Sequence, residues 1–135
     1  MLTAVLLLGA CGGMASIGPS RDAVARFHQQ LDARQFERIW SEADDAFRGS
    51  TTREQALQLL DAIHRKLGAV VSSTERAWNV RSFVGSGALS GDFVQLTEDT
   101  TFERGIGAED FAWKIVDGTP RLAGYHINSA DLVTR

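Results

Sequence analysis

The sequence predicts an α+β fold in which N-terminal helices pack on a curved four-stranded antiparallel sheet. Three observations predict it. Apolar residues recur at helical spacing up to Leu67 and alternate after Gly68, so the period changes once and does not change back. The later segments are rich in Val, Thr, Phe and Trp, which suit a pleated, half-buried surface. They are separated by Gly-rich and Asp-Gly breaks too short for a crossover helix, so the strands form a meander.

The first helix is expected from Pro19-Ser20, with Ser20 as N-cap and Asp22 complementing the helix dipole. Ala23, Val24, Phe27 and Leu31 follow helical spacing, and the helix should end near Ala33 or Arg34. Phe36, Ile39, Trp40 and Ala43 make a second short apolar stripe, with Phe47 packing near it before the Gly49-Ser50 break. Thr51-Thr52-Arg53-Glu54-Gln55 is a capping-box sequence that pairs Thr51 with Glu54 or Thr52 with Gln55. Ala56, Leu59, Leu60, Ile63 and Leu67 form the buried face of a third helix, which Gly68 ends as its C′ residue.

Val70 to Phe83 reads as the first strand and Phe93 to Phe102 as the second, with a loop marked by Gly85-Ser86-Gly87 and Ser90-Gly91-Asp92 between them. Gly105-Ile106-Gly107 reads as a tight turn. Glu109 to Val116 is the third strand, with Phe111, Trp113 and Ile115 on one face. Asp117-Gly118 is a strong hairpin signal. Arg121 to Asn128 is the fourth strand, with Ala123, Tyr125 and Ile127 on one face, and Ser129 to Arg135 is a short tail.

The N-terminus carries a different signal. Met1 to Ala10 is a short apolar run that stops at Cys11, the single cysteine, and Leu8-Gly9-Ala10-Cys11 looks like a bacterial lipobox. The small residues Gly9 and Ala10 let the chain lie extended in a peptidase cleft. Cleavage before Cys11 exposes a thiol and an amine to acylation, and two or more acyl chains hold a protein stably on a membrane. The run is too short to span a bilayer, which takes ~20 residues. No Lys or Arg precedes it. Gly12, in place of the Asp that retains lipoproteins at the inner membrane, implies the outer membrane facing the periplasm in a Gram-negative host. The expected organisation is a signal peptide over 1–10, a lipidated cysteine and short tether over 11–19, and one α+β domain over 20–135.

Composition narrows function. Hydrophobic residues make up 44% of the 135-residue chain and formal net charge is −3, ordinary for a globular domain and without the cationic stripe that nucleic acid requires. A lipidated Cys11 leaves no thiol for a disulfide, so the domain must stand on its core. No metal-ligand cluster, nucleophile elbow or phosphate loop is present, and no cofactor is expected.

From Trp40 to Ile127 the chain resembles a family of small bacterial lipoproteins built on a domain of unknown function. The resemblance is carried by Trp40, Phe47, Thr52, Leu67-Gly68, Thr100-Thr101-Phe102, Glu109, Asp117-Gly118 and Arg121-Leu122-Ala123-Gly124-Tyr125. Pro120 stands near the place where that family usually carries an aromatic residue after the Asp-Gly turn. Such proteins resemble the cystatin-like or nuclear-transport-factor-two-like architecture, in which a long helix laid across a curled sheet makes a cone. The resemblance carries over no activity.

Cone-shaped folds host enzymes and binding domains alike, so function has to be argued from a site. Phe27, Trp40, Trp78, Phe111, Trp113 and Tyr125 are candidates to line a pocket for an apolar ligand. Core packing accounts for the same residues, because large side chains bury the area that a domain without disulfides needs. Tyr125 and His126 are adjacent on a strand and face opposite sides. Either serves as a general acid or base only if it meets a carboxylate in the cone; otherwise Tyr125 packs in the core with its hydroxyl bonded and His126 faces solvent. His28 and His64 are expected to be partly exposed on their helices, and the acidic pairs Asp44-Asp45 and Glu98-Asp99 to be solvated or capping. The sequence therefore points to a lipid-anchored envelope domain, non-enzymatic, that binds a small apolar ligand or an envelope protein. The alternative is a small isomerase- or hydrolase-like enzyme using a Tyr or His in the cone.

Overall fold

The computed structural model describes residues 15–85 and 87–134. Helices α1 (Ile17–Asp32), α2 (Phe36–Glu42), α3 (Asp45–Ser50) and α4 (Arg53–Leu67) precede strands β1 (Val70–Phe83), β2 (Gly91–Phe102), β3 (Gly105–Val116) and β4 (Thr119–Asn128), and a short α5 (Ala130–Thr134) closes the chain. The strands form one antiparallel sheet in sequence order. The α+β order is therefore the one that the change of period predicts. Among the described residues no helix is long and apolar enough to cross a membrane. Cys11 and Ser86 lie outside the described residues.

Helix α1 begins earlier than its cap signal suggests. Ser16, not Ser20, stands at the N-cap position, and Ser20 donates its backbone N–H to the Ser16 carbonyl at 3.0 Å. Pro19 sits inside the first turn, where helix N–H groups have no intrahelical partner, so its missing donor costs little. Ile17 is buried against the core, and this packing draws the helix back past Pro19.

Asp22 therefore falls past the first turn, which carries no acidic residue, while the signals of the later helices hold. Thr52 and Gln55 make the capping box of α4, and Gly68 ends it at a φ of 81°. Asp44 caps α3 by accepting from the Ala46 N–H, while its own N–H donates to the Leu122 carbonyl at 2.8 Å. That bond ties the helical layer to β4.

β2 and β4 each begin two residues earlier than expected, and β3 four residues earlier. Gly105-Ile106-Gly107 is not a turn but the start of β3. The reversal occurs at Glu103-Arg104, whose N–H groups donate to the carbonyls of Ala69 and Leu67. The Arg104 guanidinium also donates to the carbonyls of Arg65 and Lys66, so the turn caps the end of α4. The two glycines answer a packing need instead. A Cβ on Gly105 would stand 2.7 Å from the Asp131 side chain, and one on Gly107 3.0 Å from Ile127.

In β4, Ala112 pairs with Gly124 but Trp113 pairs with Leu122, which leaves Ala123 as a bulge. The extra residue changes the phase of the strand. Leu122 joins Tyr125 and Ile127 on the inner face, and Ala123 does not. Asp117 and Gly118 close the β3–β4 hairpin with φ of 51° and 76°, the geometry of a type I′ turn.

The helices cover one sheet face. Val94, Leu96 and Phe102 of β2, Phe111 and Trp113 of β3, and Leu122 and Ile127 of β4 meet Val24, Phe27 and Leu31 of α1 and Ile63 and Leu67 of α4 in one core. The opposite face carries Gln95, Asp110 and His126 toward solvent. β1 lies at the sheet margin and is largely exposed along its length.

Candidate functional site

The six aromatic residues expected to line a pocket do not form one. Phe27, Phe111 and Tyr125 have ring centroids within 4.8–5.1 Å of one another, and Phe111 stacks on Trp113 at 5.8 Å. These four rings fill the interior beneath α1, where an open cone would have its cavity. Trp40 packs on Phe47 at the rim of the helical layer. Trp78 is 50% exposed on β1 and lies outside the aromatic cluster. Its partner across the ladder is the inward Leu96, yet Trp78 itself stays half-exposed at the sheet margin.

A polar cluster adjoins these rings. Glu109 is 0% exposed and its carboxylate accepts from three sides. Thr100 Oγ1 donates to Oε1 at 2.5 Å, the Tyr125 hydroxyl donates to Oε2 at 2.5 Å, and His28 Nε2 lies 2.7 Å from Oε1. Ser73 and Thr100 hydroxyls share a further bond at 2.9 Å. Burial first, then the charge of Glu109 and its hydrogen bond, hold the Tyr125 hydroxyl well above the ordinary tyrosine range. The hydroxyl is bonded in the core as the packing reading of Tyr125 requires, and His126 is exposed on the other face.

The helical histidine is where expectation fails. His28 is buried, because its position on α1 places it over Glu109. Glu98 is also buried, not solvated. Strand register sets Glu109 opposite Glu98 and Glu98 opposite Glu75, so three carboxylates cross β3, β2 and β1 in a row. Like charges directly opposite one another are destabilising. α1 answers with His28 on Glu109 and, two turns earlier, Arg21 on Glu75 through two bonds of 2.8 Å. The Arg21 hydrogen bond holds Glu75 below the ordinary carboxylate range. Glu98 has the Ser73 hydroxyl at 3.3 Å, and burial, then the charge of Glu75, hold it above that range.

Sequence reasoning missed Glu109 and Glu98 as inward residues, although a signal existed. Glu109 stands two residues before Phe111 on the apolar face of β3, and Glu98 two residues after Leu96 on that of β2. Strict alternation places both inside. Among the described residues no group of three or more His, Cys, Asp and Glu is arranged to hold a metal ion.

Open space lies elsewhere. A cleft of about 240 Å³ opens between α1, α2 and the β3–β4 hairpin. Its walls include Phe27, Ile39, Trp113 and Leu122, and its charged lining includes Asp22, Arg26, Glu42 and Arg121. Glu42 accepts from Arg26, Gln30 and Arg38, so two arginines share its carboxylate. Trp113 is 5% exposed, and its Nε1 donor is buried with no partner. Two larger hollows, of about 310 and 550 Å³, lie over the polar outer sheet face. Phe27 and Trp113 are among the residues around the first, and Phe111 and Tyr125 among those around the 310 Å³ hollow.

The family described as a protein of unknown function (DUF4019) matches residues 23–125, which run from α1 to the Tyr125 that donates to Glu109. No curated protein and no solved structure matches the chain.

Proposed function

This chain belongs to the DUF4019 family, whose function is not established, and we propose that it is a lipid-anchored recognition domain of the bacterial cell envelope, non-enzymatic, that binds a small apolar ligand in the cleft between α1, α2 and the β3–β4 hairpin. Its architecture is then a cystatin-like or nuclear-transport-factor-two-like cone with a filled interior. Acylation of Cys11 holds it on the membrane, facing the periplasm from the outer membrane in a Gram-negative host.

One observation carries the binding reading. The cone interior is occupied by mutually packed rings and by a carboxylate whose two oxygens are both engaged, while an apolar-walled cleft stays open beside it. Small-molecule sites are concave and mostly apolar, with a few placed polar groups. The enzymatic alternative has a carboxylate for Tyr125 in Glu109, but that carboxylate is closed to solvent. Tyr125 and His126 lie on opposite faces, and Tyr125 is committed to Glu109.

Tryptophan fluorescence of the full chain during titration with 1-hexanol tests the cleft. A saturable change is expected, and Ala23→Leu, which fills the cleft from α1 with a good helix former, should abolish it without loss of fold. A response that does not saturate, or that survives Ala23→Leu, overturns the reading. The anchor is tested separately by labelling cells with a radioactive fatty acid. Cys11→Ala should abolish lipid incorporation and release the protein from the membrane fraction. A wild type that carries no lipid, together with unchanged partitioning of the variant, overturns the anchor.

A further inference from the structure

Exposed apolar residues gather where β1 passes into β2. Val84 is fully exposed there, Leu89 is 73% exposed and Phe83 49%. Single apolar residues on a surface are ordinary, but a group of them at one place marks a contact surface. Phe93 lies beside them, buried outside the main core, with its ring 5.6 Å from that of Phe83. Register then sets cations next to this group. Arg81 stands opposite Phe93, Phe93 opposite Lys114, and Lys114 opposite Arg121, so the row crosses all four strands. Each alternates with an inward neighbour, Val80, Val94, Trp113 or Leu122, and so points to the outer sheet face. Strands lie ~4.8 Å apart, which spreads the three charges over ~15 Å. None of the three has a carboxylate within ion-pair distance among the described residues. Lys114 Nζ donates to the Ala88 carbonyl at 2.9 Å, which ties the apolar connection to the row. On the sheet, the acidic residues at this end are Asp92, engaged by the Ser82 hydroxyl, and Asp117 in the β3–β4 turn.

The start of the domain lies at the same end. β1 and β3 finish there and β2 and β4 begin. Pro19 and Ala23 of α1 border one cleft with Thr119 and Pro120 of β4. Cys11 precedes Ala15, the first described residue, by four positions, a reach of at most ~14 Å. An acylated Cys11 therefore holds this end of the sheet close to the bilayer. We propose that it is a docking surface for an anionic membrane. Phe83, Val84 and Leu89 enter the headgroup region, and Arg81, Lys114 and Arg121 pair with lipid phosphates. Apolar insertion and attraction to anionic lipid act together in such interfacial contacts. The proposal rests on the anchor reading above for the direction of approach, while its chemistry belongs to the sheet alone.

Co-sedimentation of the full chain carrying Cys11→Ala, which bears no acyl group, tests the surface. The vesicles are phosphatidylcholine alone or mixed equally with phosphatidylglycerol. Residues 1–10 are present in every variant, so differences between variants report the surface. Binding should be stronger to the anionic vesicles. Arg81→Gln, Lys114→Gln and Arg121→Gln together should weaken it about fivefold for each cation removed and erase the preference. Arg34→Gln, Arg53→Gln and Arg65→Gln together remove the same charge from the helical side and should weaken it far less. Val84→Ser with Leu89→Ser should weaken binding to both vesicle types. If the first triple variant does not fold, Arg81→Gln with Arg121→Gln, both at exposed positions, carries the same test. No preference for anionic vesicles, equal weakening by the two triple variants, or unchanged binding of the serine variant overturns the proposal and leaves the anchor standing. A wild type that incorporates no fatty acid in cells, with the vesicle preference intact, overturns the anchor and keeps the surface.

Discussion

Glu109 accepts hydrogen bonds with both carboxylate oxygens in a site closed to solvent, and removal of any partner leaves a polar group stranded in the core. Tyr125→Phe should cost about 2 kcal/mol of unfolding free energy. Glu109→Gln should cost more, about 3 kcal/mol, because its amide presents donors to donors. Denaturant melts of the two single variants and the double variant give the coupling between them, which should be clearly non-additive. Additive losses would show that the bond carries no stability. Glu98 behaves differently. Burial, then Glu75, raise its folded-state value above the unfolded one. The folded state then holds its proton over an interval where the unfolded chain has lost it. Its contribution is fully present below the unfolded value and is lost as pH rises through the folded one. Glu98→Gln keeps an acceptor for Ser73 and cannot ionise. It should raise the Tm at neutral pH and leave it unchanged in acid. Glu75, held low by Arg21, contributes in the opposite sense, with stability present above its unfolded value and lost as pH falls. For that reason the comparison is made between variant and wild type at each pH. A gain of the same size at both pH values would show that Glu98 does not titrate as described.

At the scale of elements, local chemistry decides the ends and tertiary contact decides the phase. Asp117 and Gly118 both adopt positive φ in the β3–β4 turn. Gly118→Val should destabilise the domain by about 1–2 kcal/mol, since a β-branched residue is strained there although the space around it is open. A thermal melt with no loss would contradict the turn geometry. The Thr52–Gln55 capping box was legible as one of two pairings, because both Thr51 and Thr52 have an acceptor three residues on. Both threonines are extended, and the start of α4 at Arg53 makes Thr52 the N-cap. The bulge at Ala123 was not legible. Nothing in Arg121-Leu122-Ala123-Gly124 distinguishes a residue that pairs from one that is passed over; the fit of Trp113 against Leu122 decides it.

For the whole molecule, the sheet is wider than its helical cover. Trp113 and Trp78 are both strand tryptophans in segments of apolar alternation, yet one is 5% exposed and the other 50%. Trp113→Ala should cost about 3–5 kcal/mol, in the range of large-to-small core changes. Trp78→Ala should cost under about 1 kcal/mol, as for a surface substitution. Equal losses in urea melts would show that β1 is covered in solution. The same geometry explains why an aromatic pocket was a reasonable expectation and is not observed. The rings that α1 reaches pack on one another, and the one it does not reach faces solvent.

Sequence alone determined the order of helices and strands, the Gly68 stop, the Asp117-Gly118 turn and the single change from helical to alternating period, because each depends on residues adjacent in the chain. It also carries the Leu8-Gly9-Ala10-Cys11 run on which the proposed anchor rests, a reading that needs no fold. Tertiary structure alone decided which faces meet. His28 is buried because α1 crosses the sheet at Glu109, a residue 81 positions away. Ile17 extends the helix because the core receives it. The cleft exists because α1, α2 and the β3–β4 hairpin converge around Trp113. Composition and spacing report what each segment prefers. The crossing of a helix over a sheet depends on all segments together, and that crossing sets which carboxylates are paired and which cavity is left open.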